Sequence, residues 1–402
     1  MGGRIFLPLL ATLLFPLAGG CDSNASRVQA SPADAPHHLI PPPPCDEQIP
    51  NRSSGNCDDT GGGSGGGTNP TPPPGIPSTA NQFWWNHPNE WPYTYSNSIS
   101  IGSHQYLGNL PSRLEADWTG GLQGLSHDEY NWYFSTRGDI YKWSVWDGVR
   151  ASKPEGHLNV DRRSLPHPFG TTSEYDHFGD IDFCEEAGDG LLYIPMDAHK
   201  DNDNKHGALV VTDRQLNYID AQILPNNLTS NGSGMPWVAV HPLNTSLIFS
   251  SVFGSRDNFI DRIDVYKDHD NSSSIDISFE GNFFLRSWGG SHPNDGIVGR
   301  VQGGEFSQDG KHLVLAAEAG IEGAGLYFFD MNTGILKKYI YVQKDSGQEI
   351  EGVTYWNLSS YGSDYTYGIE GNVHTTVYQD GPFLNRSEDM MWFKHYDVES
   401  LN

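Results

Sequence analysis

From about residue 120 onward, apolar and polar positions alternate in short runs, and the longer stripe of an amphipathic helix is absent. "WYFSTR" (132–137), "LYIPMD" (192–197), "LIFSSV" (247–252), "LVLAAE" (313–318) and "VHTTVY" (373–378) share apolar starts and small centres. Each is followed by a second run: "DIYKWSV", "GALVVTD", "DRIDVYK", "GLYFFDM" and "MMWFKHY". Each is also preceded by a three-residue motif with an apolar middle: Gly124-Leu125-Ser126, Asp180-Ile181-Asp182, Trp237-Val238-Ala239, Glu305-Phe306-Ser307 and Gly352-Val353-Thr354. A period of two residues, with Gly, Asn, Asp and Pro between runs, predicts strands joined by turns. The chain is therefore expected to be all-β.

The motif starts lie 56, 57, 68 and 47 residues apart. A repeat near this length that carries three or four antiparallel strands is a propeller blade. The stretch "GGEFSQDGKHLVLAAE…GLYFFDMNTG" (303–334) resembles the blades of secreted bacterial propellers, the broad group that includes phytase-like and gluconolactonase-like proteins. That resemblance spans roughly residues 120–398 and implies a β-propeller, with no catalytic residues carried over. The fifth repeat ends near Val398, short of a fourth strand, whereas "NSISIGSHQYLGN" (97–109) alternates and belongs to no blade. The expectation is five blades, with this N-terminal segment supplying the missing outer strand. Closure of that kind leaves no long free sheet edge. Six blades is the alternative, if residues 83–118 or 237–305 hide a degenerate one.

In a propeller the first strand of each blade lines the central channel, so residues near the strand starts converge although they are far apart in sequence. The expected ligand-binding or catalytic set is Gln123, His177, Asp180, Asp182, Trp237, Glu305 and Glu351. Crowded carboxylates repel, so one is protonated or a cation sits among them. One reading is calcium held by Asp180, Glu305 and Glu351 through hard oxygen ligands. Another is a carboxylic acid working with a carboxylate on a carbohydrate or phosphoester. A third is purely structural, with the carboxylates capping backbone N–H groups inside the ring.

Composition changes abruptly ahead of this region. Arg4, an apolar run from Ile5 to Leu17 and Ala18-Gly19-Gly20-Cys21 form an export signal (1–20) with a lipoprotein-like break, so lipidation is expected on Cys21. Residues 21–82, with "PPPP", "GGGSGGG" and "PTPPPG", have too little apolar content to fold and are expected to form a tether for a propeller domain at 83–402. Cys45 and Cys57 are close enough in that tail for a local disulfide, which an oxidising compartment would permit. The expected location is the cell envelope, periplasmic or at the surface, or otherwise the medium. The membrane would be touched only through the lipid.

Charge narrows the partners. The net charge is −26, and all but six of the 50 acidic and three of the 24 basic residues lie at or after residue 83. Phosphate would be repelled, which argues against nucleic acid. The sequence thus predicts a monomeric, tethered propeller that binds a small molecule or glycan at its channel mouth, with calcium as the candidate ion. The alternatives are a hydrolase or lyase at the same mouth, and a scaffold for protein partners.

Overall fold

The computed structural model describes residues 72–92 apart from 75, 101–150, 154–159, 175–185, 190–198, 207–225, 234–256, 258–270, 274–291, 296–359, 361, 365–379, 389–399 and 401. The expected export signal, Cys21, Cys45 and Cys57 lie outside these residues.

Two early strands, β1 (His104–Asn109) and β2 (Leu114–Glu115), pair only with the last strand of the chain. Between them and that partner the chain builds four sheets in order. The first blade is β3 (Leu122–His127), β4 (Asn131–Thr136), β5 (Asp139–Ser144) and β6 (Gly156–Asn159). The second has a broken inner strand, β7 (Tyr175–Phe178) and β8 (Asp182–Cys184), followed by β9 (Leu191–Ala198), β10 (Ala208–Asp213) and β11 (Tyr218–Ile223). The third is β12 (Ala239–Val240), β13 (Leu247–Ser250), β14 (Arg262–Asp268) and β15 (Ile277–Phe284). The fourth is β16 (Val298–Phe306), β17 (His312–Gly320), β18 (Gly325–Asp330) and β19 (Leu336–Tyr341). The fifth is β20 (Gln348–Tyr355), β21 (Val373–Gln379) and β22 (Met390–Val398), and β1 completes it as the outer strand. The protein is a five-bladed β-propeller closed by its N-terminal strand.

Closure is an antiparallel ladder that runs from His104 opposite Val398 to Asn109 opposite Lys394, with a bulge between Tyr106 and Gly108. The middle strands are apolar on both faces because each blade is covered by a neighbour on either side. Trp132, Phe134 and Phe393, all fully buried, share one cluster with Leu125 between the first and fifth blades. Burying each such ring stabilises the fold by about 2–3 kcal/mol.

The residues before the closing strand form no sixth blade. A short helix, α1 (Gln82–Asn86), is capped by Asn81, whose side chain also donates to the Phe284 carbonyl. Trp84 is fully buried, and its indole N–H donates to the Met331 carbonyl at 2.7 Å. Ile76 and Ala80 join the same cluster, so packing reaches a few residues ahead of Phe83.

Candidate functional site: a divided axial channel

The inner strand of the second blade breaks at Asp180. There the backbone leaves its own sheet and bridges in parallel to Trp237 of the third blade: Asp180 N–H donates to the Pro236 carbonyl (2.9 Å), and Val238 N–H donates to the Asp180 carbonyl (3.1 Å). The break frees the side chain to reach the axis. Its carboxylate accepts N–H bonds from Leu125 (2.8 Å), Gly304 (3.1 Å) and Val353 (3.3 Å), which belong to the first, fourth and fifth blades. One residue thus ties all five blades together. Burial pushes its pKa up, and the three N–H donors oppose that rise.

Three glycines make room for this carboxylate. A Cβ added at Gly124, Gly303 or Gly352 would lie 2.4 Å from an Asp180 oxygen in each case. These glycines are therefore the equivalent axial positions in their blades. In the fourth blade that position is Gly303; the expected alignment had placed Glu305 there. A two-residue slip keeps every side chain on its own face, so strand alternation alone does not reveal it. Glu305 is instead equivalent to Ser126, Asp182 and Thr354, one layer further along the strands.

In that downstream layer, where the inner strands end, the axis opens into a cavity of about 570 Å³. Asp182 is buried and accepts Val240 N–H at 2.6 Å. It is also hydrogen-bonded to the Glu305 carboxyl. Two carboxyls in contact need a proton between them. Burial first, and then the adjoining Asp182, push the Glu305 pKa well up. Asp128, Glu129 and Glu185 add to the acidic wall, and among the described residues no lysine or arginine lines it. Asp128 is occupied locally, since it accepts the N–H groups of Tyr130 and Asn131 and the Tyr133 hydroxyl. The His127 ring stacks on Trp356 with centroids 4.4 Å apart and planes 3° from parallel. Its two nitrogens face the Asp128 and Tyr355 carbonyls, and burial lowers its pKa.

The upstream mouth, where the inner strands begin, is built differently. Three inner strands bulge at equivalent places, just before the axial glycine. The bulge re-aims one residue in each blade. In sequence these are Gln123-Gly124, Gln302-Gly303 and Glu351-Gly352. His177 donates its Nε2–H to the Gln123 amide oxygen. Glu351 is 1% exposed, and among the described residues its Oε2 has no hydrogen-bond partner. Burial pushes its pKa well up, helped by the negative charges of Glu349, Glu318 and Asp180, with Arg137 pulling the other way.

No protein-family model matches the chain, and no curated protein sequence matches it. Solved structures that resemble it include glutaminyl cyclase from Myxococcus xanthus (10% identity, 73% of this chain and 97% of that one, TM-score 0.40). A gluconolactonase from Xanthomonas campestris gives 11% identity over 74% of this chain and 96% of that one, with TM-score 0.36. A GH43_1 enzyme from Xanthomonas citri gives 9% identity over 74% and 90%, with TM-score 0.44. These neighbours are similar in fold alone.

Six of the seven residues singled out in the sequence therefore fall into three groups. Asp182 and Glu305 meet in the downstream cavity. Gln123, His177 and Glu351 gather at the upstream mouth, and Asp180 stands between the two. Trp237 is fully buried; its indole packs against Gly304 and donates to the Ser251 hydroxyl at 2.8 Å. Among the described residues, no group of three or more His, Cys, Asp or Glu is arranged to hold a metal ion. Asp180, Glu305 and Glu351, expected together as calcium ligands, point to three different surroundings. His127 and Gln302 complete the picture and were not anticipated. Gln302 was legible as the third member of a Gln/Glu-Gly dipeptide, whereas His127 joins the site only through its stacking on a tryptophan 229 positions away.

Proposed function

We propose that this chain is an exported, lipid-tethered propeller that binds a neutral, hydroxyl-rich small molecule, a sugar or a related polyol, in the downstream axial cavity. The observation that carries the reading is the hydrogen-bonded Asp182–Glu305 pair at the floor of a cavity of about 570 Å³. Such a pair offers both a donor and acceptors to ligand hydroxyls, and an acidic wall disfavours anions. A second recess of about 340 Å³ shares Glu129, Trp356 and Tyr361 with the cavity and adds Tyr130, Trp146 and Tyr365. Trp146 and Tyr365 are exposed, and their faces suit the apolar face of a sugar ring. The leader and Cys21 support export and tethering.

The test is a glycan and polyol panel against the full chain, followed by calorimetry on any hit. Binding is expected to weaken at least about tenfold in Glu305→Gln, the worth of a charge-assisted hydrogen bond. Retention of full affinity by a folded Glu305→Gln protein would end this reading. Binding is expected to be the same with calcium and with chelator, because the three candidate ligands do not converge.

The alternative is acid–base chemistry on the same ligand, favoured by the raised pKa of the paired carboxyl. The pair is in direct contact, closer than the roughly 5–9.5 Å between glycosidase carboxylates. The chemistry would therefore be that of a proton-sharing dyad, in a hydrolase or lyase. Turnover that disappears in Glu305→Gln with ligand binding retained would select this version.

A further inference from the structure

The upstream mouth holds a second arrangement that the downstream cavity does not use. Buried carboxyl oxygens nearly always have a hydrogen-bond partner. Asp180 has three N–H donors, Glu318 pairs with Lys344 at 2.8 Å, and Glu349 pairs with Arg300 at 3.1 Å. Glu351 feels the charges of all three, is almost wholly buried, and its Oε2 has no partner among the described residues. Lys344 and Arg300 are paired with Glu318 and Glu349, and Arg137 acts on Glu351 more weakly than the three carboxylates do. Three bulges place Gln123, Gln302 and Glu351 at equivalent positions around the same axis. Each bulge interrupts a ladder and lowers local pairing, and the repetition in three blades points to a shared purpose.

We propose that the upstream mouth is a binding site for a primary ammonium group, with Glu351 as its anionic acceptor and Gln302 supplying an amide oxygen. The like charges of Glu349, Glu318 and Asp180 around Glu351 favour a cation. The orphan oxygen can accept an N–H from an ammonium group. Asp180 occupies the axis next to this position, since a Cβ added at Gly303 or Gly352 would lie 2.4 Å from one of its oxygens. A compact –NH₃⁺ at the end of an alkyl chain fits these conditions, whereas a quaternary ammonium has neither the size nor the donors. Gln123 is a positioning residue here, since its amide oxygen is held by His177 and its amide N–H by the Leu122 carbonyl.

The experiment uses the full chain and n-butylammonium chloride as the probe, read by calorimetry and thermal shift. Tetramethylammonium chloride and n-butanol serve as controls at matched ionic strength. Saturable binding of butylammonium alone is expected. It should weaken at least about tenfold in Glu351→Gln, the worth of one charge-assisted hydrogen bond. Gln302→Ala, a milder change on a half-buried side chain, should weaken it about threefold and keeps the test available if Glu351→Gln does not fold. Glu305→Gln, in the other cavity, should leave it unchanged, which separates this site from the sugar reading. The proposal is overturned if butylammonium fails to saturate, if tetramethylammonium binds as well, or if Gln302→Ala binds like the parent.

Discussion

The two ends of the channel carry the same kind of group in opposite circumstances. Glu305 and Glu351 are both glutamates on inner strands, both are buried, and burial raises the pKa of both. Glu305 has a carboxyl neighbour and shares a hydrogen bond with it, while Glu351 has like charges nearby and an unpartnered oxygen. Burial alone thus does not set a carboxyl's role. The supply of donors within reach decides whether it is satisfied in the free protein or waits for a ligand. Asp180 separates the two cases, as a third carboxyl satisfied entirely by backbone N–H groups.

The sharpest way to break this comparison is to remove the partition. Asp180→Ala orphans three buried N–H groups in three blades and is expected to cost at least about 3 kcal/mol in urea denaturation, or to prevent folding. A loss below about 1 kcal/mol would mean the axis is not held by this residue. Next in size is Gly352→Ala, whose Cβ would meet Asp180 Oδ1 at 2.4 Å and Leu125 N at 2.5 Å. A cost of about 2–3 kcal/mol is expected from the forced shift. Gly138→Ala, with nothing within 4 Å, serves as a control with little change.

A smaller effect separates the two glutamates. At pH 8, Glu351→Gln is expected to raise stability by about 1 kcal/mol, because it removes a desolvated carboxyl that lacks a donor. Glu305→Gln should change stability by less, because the amide can still donate to Asp182. Equal effects in thermal melts at that pH would erase the distinction drawn between the two ends.

The smallest effect is the pH slope. Carboxyls with raised pKa bind more protons folded than unfolded, so they add stability as pH falls through their folded values. Asp264, pushed up to about 7 by burial, acts between pH 7 and the ordinary carboxylate range, and Glu305 and Glu351, also raised by burial, act in the same direction. Buried histidines have the opposite sign. His241 and His395, lowered to about 3 and about 4 by burial, cost stability as pH falls below about 6.5, where the unfolded chain takes up protons first. Stability is therefore expected to rise from pH 8 to about 6.5 and to flatten or fall below that. Asp264→Asn should shallow the rise, and chemical denaturation across this range checks it.

Much of the fold was legible in particular residues. The strand runs around Phe134, Ile194, Phe249, Leu315 and Val377 all lie in second strands of blades. The closing strand was visible as an alternating segment with no blade of its own. The candidate site was legible only in part. The acids near strand starts do gather on the axis, yet their sorting into two chambers depended on a register that alternation cannot distinguish. The Gln/Glu-Gly dipeptides held that information, but their meaning appears only when the bulges are seen side by side.

By itself the sequence determined the repeat, the strand faces and the source of the last strand, because all three follow from local periodicity and from which segments lack a partner. Tertiary structure alone decided which carboxyls find donors. Asp180 reaches its N–H groups across 55, 124 and 173 positions of chain, and only ring closure brings those groups within hydrogen-bonding distance.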